Sequence, residues 1–406
     1  YVSYGFIDAV GLRVAQAYGA NKTEQISRIT CQGLWLAACL SFAAIVIFWN
    51  GDSLLSLFGQ EEDNILLAKA YLRAIMWGFP AAAGYWVLKN VASALSHPQF
   101  IPVILLVGLL LDVSVGYVLI FGKLGFPALG LAGIGWVTAL VYWFQFLAAL
   151  CWIIFHPNFK DYKLFSCLNQ FDKVLFGELC QIGWSIGFQL GAEMLLLAVT
   201  ALLMGRLGTE ILVAHEITIE TTELAINASF GIVSATTTRV GITVGKQNPL
   251  DVKIAAFVGI ALGSILSLMV AFVFLLFTDR IVGIYLDINK PENIIAVKEA
   301  ISFFHLAAIF QFFYGIQVIA FGALLAIKDT RIPILINLLA FWGIGFSGSY
   351  LMGIILGWGG IGLWLGLILG PVITTVIFIW RFYLLVSSQF GSNEEEVWSE
   401  ADGVIQ

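Results

Sequence analysis

The chain has 406 residues, of which 60% are hydrophobic and only 11% are charged. Soluble domains carry about 25% charged residues, so this composition excludes an ordinary soluble protein. The net charge of −6 comes without a basic patch, which excludes nucleic acid as an expected partner.

Mostly apolar segments recur along the whole chain, and loops rich in Gly, Pro, Asn and charged residues separate them. A helix needs about 20 mostly apolar residues to cross a bilayer. Eleven such spans are predicted, near 2–18, 30–49, 66–94, 101–121, 130–155, 178–204, 211–240, 254–277, 296–326, 333–356 and 361–386. The sequence therefore predicts an all-α polytopic membrane protein embedded in the lipid bilayer.

The loops between the predicted spans alternate in charge. One set is basic and includes Lys22, Lys160, Lys246 and Lys328, whereas the other set is rich in acids. Under the positive-inside rule the basic loops are cytoplasmic. The C-terminus, which follows Arg381, is then expected to be cytoplasmic as well, in a protein of the cell membrane.

The two halves of the chain resemble each other. RVAQAYGANK from Arg13 matches RVGITVGKQN from Arg239, and GLAGIGW at 130–136 matches GWGGIGL at 357–363. Because equivalent loops have the same charge character, the repeats are parallel, about an axis along the membrane normal. The second half has one more span than the first. We therefore expect two pseudo-symmetric six-helix bundles from a twelve-span parent, about eleven spans being present here and the first one missing.

This organisation predicts four regions. They are an N-terminal bundle without its first helix, a cytoplasmic linker, a C-terminal bundle and an acidic cytoplasmic tail. Their predicted bounds are 1–156, 157–173, 174–388 and 389–406.

Several carboxylates interrupt the apolar spans. A charged side chain at the centre of a membrane helix costs about 3 kcal/mol or more, so such groups usually face a cavity or a polar partner. Glu193 lies deep in its span with no basic residue within a turn. It is therefore either a cation-coupling site or a polar tie between helices. Asp8 and Asp112 are each either a second protonation site or a hydrogen-bonded structural acid.

Three further acids lie in VAHEITIETTELAINASFG, which begins at Val213. Glu216, Glu220 and Glu223 are at i, i+4 and i+7 and share one helix face. Their mutual repulsion favours protonation of one acid or a bound cation. The alternative is a water-exposed face with ordinary carboxylates. The preceding His-Glu pair is not a zinc-protease motif, because Ile219 stands where the second histidine would be.

Three long stretches keep their order along the chain: GKLGFPALGLAGIGWVTALVYW at 122–143, AEMLLLAVTALLMGRLGTEILVAHEI at 192–217 and FQFFYGIQVIAFGALLAIKDT at 310–330. They resemble parts of the fifth to tenth spans of MATE transporters, in the NorM-like branch. The resemblance implies two six-helix bundles around a central cavity. It also implies a monomeric secondary transporter without a cofactor, which exports mostly cationic organic molecules in exchange for Na⁺ or H⁺.

The resemblance also implies roles for individual residues. Glu193 matches the family's cation-coupling glutamate, whereas Tyr314 stands where the tenth span of the family carries an acid. NorM-like sequences usually have amides or hydroxyls at the three acidic positions of the eighth span. We therefore hypothesise that negative charge has moved from the tenth span to the eighth. The resulting cation-coupling set is Glu193, Glu216, Glu220, Glu223 and Tyr314, in which Glu193 and Glu216 would bind a monovalent cation.

The predicted substrate cavity combines aromatic side chains, which bind organic cations by stacking and cation–π contact, with amides. Its candidate residues are Gln189, Trp184, Phe188, Phe310, Gln317 and Asn227. One alternative function is a lipid-linked oligosaccharide flippase of the same superfamily architecture. A pyrophosphate cargo requires cationic residues in the cavity, whereas the charges within these spans are mainly acids. An intramembrane metal-dependent enzyme is the other alternative, and no complete catalytic motif supports it.

Overall fold

The computed structural model describes residues 2–57, 62–123, 125, 127–288 and 290–403. All regular structure within these ranges is helical. A membrane span must satisfy its backbone hydrogen bonds internally, and the helix does so within one segment. In chain order the α-helices are α1 Val2–Gly19, α2 Thr23–Trp49, α3 Gly51–Leu57, α4 Glu62–Ile75, α5 Phe79–Ala94, α6 Ile101–Phe121, α7 Leu131–Phe155, α8 Pro157–Lys160, α9 Lys173–Leu207, α10 Thr209–Gly245, α11 Pro249–Leu276, α12 Thr278–Tyr285, α13 Ile294–Ala326, α14 Arg331–Leu338, α15 Ser347–Tyr350 and α16 Gly359–Gly403.

Four short segments depart from α-helical geometry. Met76–Gly78 and Pro291–Asn293 are 3₁₀ turns, and Leu339–Phe346 and Leu351–Ile355 are π-helical. The first turn divides the predicted span 66–94 into α4 and α5, where Pro80 is compatible with a helix start because it lacks an N–H to donate. The two π segments extend α14 and α15 into one helix, Arg331–Ile355.

The predicted all-α polytopic membrane fold is confirmed. Every predicted span coincides with helical structure. Eight helices in the described ranges are long and apolar enough to cross a membrane: Thr23–Trp49, Ile101–Phe121, Leu131–Phe155, Lys173–Leu207, Pro249–Leu276, Pro291–Ala326, Arg331–Ile355 and Gly359–Ser387. The three other predicted spans are also helical. The helices α1 and α10 carry charged side chains within their length, and the span 66–94 is divided into α4 with 14 residues and α5 with 16.

The chain forms two compact units, residues 1–187 and 188–406, and the division falls inside α9. In the first unit α1 packs against α2 and α5. Small residues permit close packing here, because a Cβ at Gly5 would lie 2.5 Å from the backbone nitrogen of Gly187. The first half of α9 is held by an ion pair of 2.6 Å between Arg13 and Glu178.

In the second unit α13 is the central helix and packs against α10, α11 and α16. Nearly every residue of its second half is buried. Gly315 makes this packing possible, since a Cβ there would lie 2.0 Å from the Ser267 hydroxyl oxygen of α11. The close approach sets the rotation of α13, and with it the direction of its polar side chains.

The internal repeat predicted from the sequence has a counterpart in the backbone. The turn after α1 has Asn21 in the left-handed conformation (φ 56°), and the turn after α10 has Gln247 at φ 57°. The same pair recurs later in each half, with Ser96 after α5 at φ 64° and Lys328 after α13 at φ 67°. In all four turns the next amide N–H bonds to the carbonyl five residues earlier. These bonds form matching Schellman caps.

Candidate functional site

Glu193 and Gln189 begin the site on α9. Their i, i+4 spacing puts both side chains on one face of the helix, and the Gln189 Nε2 donates a hydrogen bond of 3.2 Å to the Glu193 Oε1. Both side chains are buried. The second half of α9 therefore presents a carboxylate with an amide beside it to the interior of the second unit.

Tyr314 brings a hydroxyl from α13 to the same carboxylate. Its phenolic O–H donates a hydrogen bond of 3.0 Å to the Glu193 Oε2. The ring of Phe310 stacks on that of Tyr314, with 5.3 Å between the centroids, and both residues are buried. The structure thus brings two members of the predicted cation-coupling set, Glu193 and Tyr314, into direct contact.

Asn337 of α14 is a third donor, which the sequence reasoning missed. Its Nδ2 lies 2.7 Å from the Glu193 Oε1, and the Gln317 Nε2 donates to the Asn337 Oδ1 at 3.2 Å. The available signal was the isolated amide in ILINLLAFW, because a polar side chain buried in an apolar span needs a partner. Gln317, a candidate cavity residue, therefore supports the site from behind Asn337.

The π-helical segment Leu339–Phe346 begins two residues after Asn337, and such segments are frequent at functional sites. Within it the Trp342 Nε1 donates to the Ala192 carbonyl at 3.1 Å. This bond ties the helix Arg331–Ile355 to α9 next to Glu193. Trp342 is a second supporting residue that the sequence reasoning missed.

The site is buried, and its carboxylate has no basic partner among the described residues. Glu193 is 7% exposed and Asn337 2% exposed, and no Lys, Arg or His side chain in the described part of the chain pairs with Glu193. The Oε1 atoms of Gln189 and Gln317 are buried without a hydrogen-bond partner there. An adjacent pocket of about 10 Å³, lined by Phe188, Ala192, Glu193, Asn337 and Trp342 among others, is about the size of one water molecule.

Within the described ranges, the three acids of α10 make no hydrogen bond to this cluster. Glu216 and Glu220 are exposed and Glu223 is half-buried, and none of them bonds to Glu193. His215 is buried and packs edge-on against Trp364, with 5.6 Å between the ring centroids. The described residues contain no group of three His, Cys, Asp or Glu side chains that could hold a metal ion.

The remaining candidates occupy different surroundings. Phe188 lines the small pocket beside Glu193, whereas Trp184 contacts Phe6 in the first unit at 6.2 Å between centroids. The exposed Asn227 donates to the Glu223 carbonyl of its own helix at 2.9 Å.

Two candidate acids lie in the first unit. Asp112 is exposed on α6. Asp8 of α1 accepts hydrogen bonds from the Trp86 Nε1 at 3.0 Å and the Asn90 Nδ2 at 2.9 Å. The Lys89 ammonium lies over the Trp86 ring, 3.4 Å from its centroid. The structure thus gives Asp8 two neutral donors from α5 and places a lysine on the ring of one of them.

Comparison with known proteins identifies the family. The MatE family profile matches residues 1–118 and 186–351. A probable multidrug resistance protein NorM from Synechococcus sp. is 34% identical, over 95% of this chain and 83% of that protein. The protein of the same name from Pseudomonas putida is 35% identical, over 94% of this chain and 84% of that protein.

Solved structures show the same fold. The crystal structure of a eukaryotic MATE transporter superposes with a TM-score of 0.82, at 19% identity, over 98% of this chain and 87% of that one. Together with the profile and the NorM relatives, this likeness makes the protein a multi-pass membrane transporter and not an enzyme. The chain belongs to the MatE family.

Proposed function

We propose that this protein is a secondary active multidrug efflux transporter, which exports organic, mostly cationic compounds in exchange for Na⁺ or H⁺. The NorM relatives, named as probable multidrug resistance proteins, support multidrug efflux. The observation that carries the proposal is the buried Glu193, which has several neutral donors and no basic partner among the described residues.

A carboxylate in this position has an unbalanced charge. Removing an ion from water costs several kcal/mol, and neutral hydrogen bonds offset only part of that cost. A proton or a monovalent cation would supply the missing charge. Glu193 is therefore a site whose occupancy can follow the concentration of an ion on one side of the membrane.

The neighbouring amides can adapt to either occupant, because each carries both donors and an acceptor. Without a cation, Gln189 and Asn337 direct N–H groups at the carboxylate. On Na⁺ binding, rotation of the Gln189 amide would turn its unpartnered Oε1 toward the ion, since carbonyl and carboxylate oxygens replace the hydration shell of such cations. On protonation, the new carboxyl O–H would need an acceptor, which the same oxygen provides.

Transport then follows from differential binding. An ion that binds one conformation more tightly shifts the population toward it, and the effect is reciprocal between ligands. In the proposed alternating-access cycle, ion binding at Glu193 and loading of an organic cation favour opposite conformations. Glu216, Glu220 and Glu223 would attract the cargo through their negative field. We further propose that the protein acts as a monomer in the cell membrane, with its C-terminus cytoplasmic.

The test is dye efflux from proteoliposomes containing the full-length protein, with Na⁺ and pH gradients imposed separately. We expect efflux of a cationic dye to follow one of the two gradients and to lose that dependence in Glu193→Gln. The matched control is Glu210→Gln, which removes an exposed acid at the start of α10. Efflux that ignores both gradients in the wild-type protein would disprove the antiport proposal.

A further inference from the structure

A polar cavity of about 370 Å³ lies in the first unit, between the start of α2 and the start of α9. Its volume is in the range of small-ligand pockets. The side chains that matter to its chemistry are Arg28, Gln32, Gln170, Phe171, Asp172 and Lys173. None of them belongs to the Glu193 site, and the proposed transport cycle does not use them.

The wall opposite α2 is the segment between α8 and α9, which is anchored at several points. The Gln32 Nε2 donates to the Gln170 carbonyl at 2.8 Å, and the Trp35 Nε1 donates to the Leu168 carbonyl at 3.0 Å. One turn earlier, the Ser27 hydroxyl donates to a carbonyl of the same segment at 2.9 Å. These bonds fix the segment against α2, so the cavity is a defined part of the fold.

The charges around the cavity leave one positive charge unbalanced. Arg28 forms an ion pair of 3.1 Å with Asp172. The other carboxylate oxygen of Asp172 caps α9 by accepting from the backbone N–H groups of Val174 and Leu175, both at 3.1 Å. Lys173 is exposed and has no ion-pair partner in the described part of the chain. The net charge of +1 matches a phosphodiester.

Gln32 adds a second requirement. Its side chain is 1% exposed. Its Nε2 donates to the Gln170 carbonyl, but its Oε1 is buried and has no hydrogen-bond partner among the residues that the structure describes. A buried acceptor without a donor costs about 1–3 kcal/mol. A ligand that satisfies it must bring an O–H or N–H donor into the cavity next to its anionic group.

The residues around the cavity have the character of a membrane–water interface. Arg28 and Gln32 are in the first turns of the membrane-crossing helix α2. Trp35 and Phe171 are 44% and 51% exposed and stack edge-to-face at 6.3 Å, and exposed aromatic rings of this kind are enriched at the membrane–water interface. Further along α2, exposed apolar side chains such as Phe42 provide a surface for acyl chains.

We propose that this cavity binds the headgroup of an anionic phospholipid that carries hydroxyl donors, as phosphatidylglycerol does. The phosphodiester contacts Lys173 and the free guanidinium N–H groups of Arg28. A headgroup hydroxyl donates to the Gln32 Oε1. The acyl chains follow the exposed apolar face of α2.

Native mass spectrometry of the full chain in detergent tests the proposal, with equal amounts of dioleoyl phosphatidylglycerol and dioleoyl phosphatidylcholine. We expect dioleoyl phosphatidylglycerol to be retained preferentially. Since one basic side chain near a lipid surface is worth about fivefold in binding, Lys173→Gln should lower its retention by about that factor. Arg28→Gln should lower the retention by a similar factor. Gln32→Leu should reduce the preference for dioleoyl phosphatidylglycerol over dioleoyl phosphatidic acid, which lacks the headgroup hydroxyls.

Lys22→Gln is the matched control, because it removes an exposed lysine at the same end of α2. It should leave retention unchanged. Equal retention of the two lipids, or an equal loss in Lys22→Gln and Lys173→Gln, would overturn the proposal. In a thermal-unfolding arm, inorganic phosphate alone should not stabilise the protein. If phosphate stabilised it as much as the lipid does, the cavity would be a free-anion site and the lipid assignment would be wrong.

Discussion

Glu193 in the second unit and Asp8 in the first are both acids on a membrane helix that accept hydrogen bonds from neutral side chains of other helices. Asp8 has Trp86 and Asn90 as donors, and the ammonium of Lys89 lies over the same indole ring. Glu193 has donors from Gln189, Tyr314 and Asn337, but no cation pairs with it in the described ranges. The two sites therefore differ in how the negative charge is balanced.

Under the proposed function, this difference predicts which of the two acids exchanges an ion. At Asp8 the indole ring binds the Lys89 ammonium on its face and donates its N–H to the carboxylate, so one ring contacts both charges. Among the described residues Glu193 has only neutral donors, and under the proposed function a proton or a metal cation from outside supplies the compensating charge. The number of hydrogen bonds is similar at the two sites. Hydrogen bonding alone therefore does not identify the acid that is proposed to bind an ion.

The largest expected contrast is in ion-coupled transport. Glu193→Gln removes the charge at the centre of its cluster, and we expect a loss of gradient-driven efflux of about tenfold or more, since a hydrogen-bonded charge is worth about 1.5–3 kcal/mol. Asp8→Asn should change efflux by no more than about threefold, because its charge is already balanced internally. Dye efflux from proteoliposomes measures both. A larger loss in Asp8→Asn would reverse the assignment.

Tyr314→Phe and Trp86→Phe form a second pair, in which each change removes one donor from its acid. Loss of the Tyr314 hydroxyl should lower efflux by about tenfold, because one hydrogen bond to a carboxylate is lost at the ion site. Trp86→Phe should leave efflux close to the wild-type level and lower stability instead. The measurements are efflux and thermal unfolding in detergent. Equal efflux in the two variants would contradict the comparison.

Changes at the Asp8 site and at the Glu193 site should affect stability in opposite directions. Lys89→Met leaves Asp8 without its cation, and we expect a loss of about 1–2 kcal/mol in the free energy of unfolding. The double variant with Asp8→Asn should recover part of this loss, because the stranded charge is removed. Glu193→Gln should leave the unfolding midpoint unchanged or raised, since it removes an unbalanced buried charge. Additive losses at Asp8 and Lys89 would show that the two residues are not coupled.

The smallest effect is expected for the exposed acids of α10. Glu216→Gln together with Glu220→Gln should weaken the efflux of a cationic dye by about threefold, because exposed charges contribute about 1 kcal/mol or less. A neutral dye should be exported at the wild-type rate. Wild-type efflux of the cationic dye would disprove the hypothesis that charge has moved from the tenth span to the eighth.

The spans, the repeat and the main acid could be predicted from the sequence. A helix that crosses a bilayer must be apolar over its length and must satisfy its own backbone, so hydropathy alone locates it. An acid in such a segment is energetically unfavourable wherever it faces lipid, so Glu193 could be recognised without a structure. The two halves also keep matching turn residues, as Asn21 and Gln247 show.

The partners of each acid depended on the tertiary structure. Tyr314 and Asn337 lie 121 and 144 residues further along the chain than Glu193. Nothing in their local sequence specifies that they contact it. The contact depends on the rotation of α13 and of the helix Arg331–Ile355, which close packing at positions such as Gly315 sets. Likewise, Lys89 could be located on its span, but its position over Trp86 beside Asp8 could not. Hydropathy locates each helix along the chain, whereas interhelical packing determines which polar side chains meet and whether a buried charge has a partner.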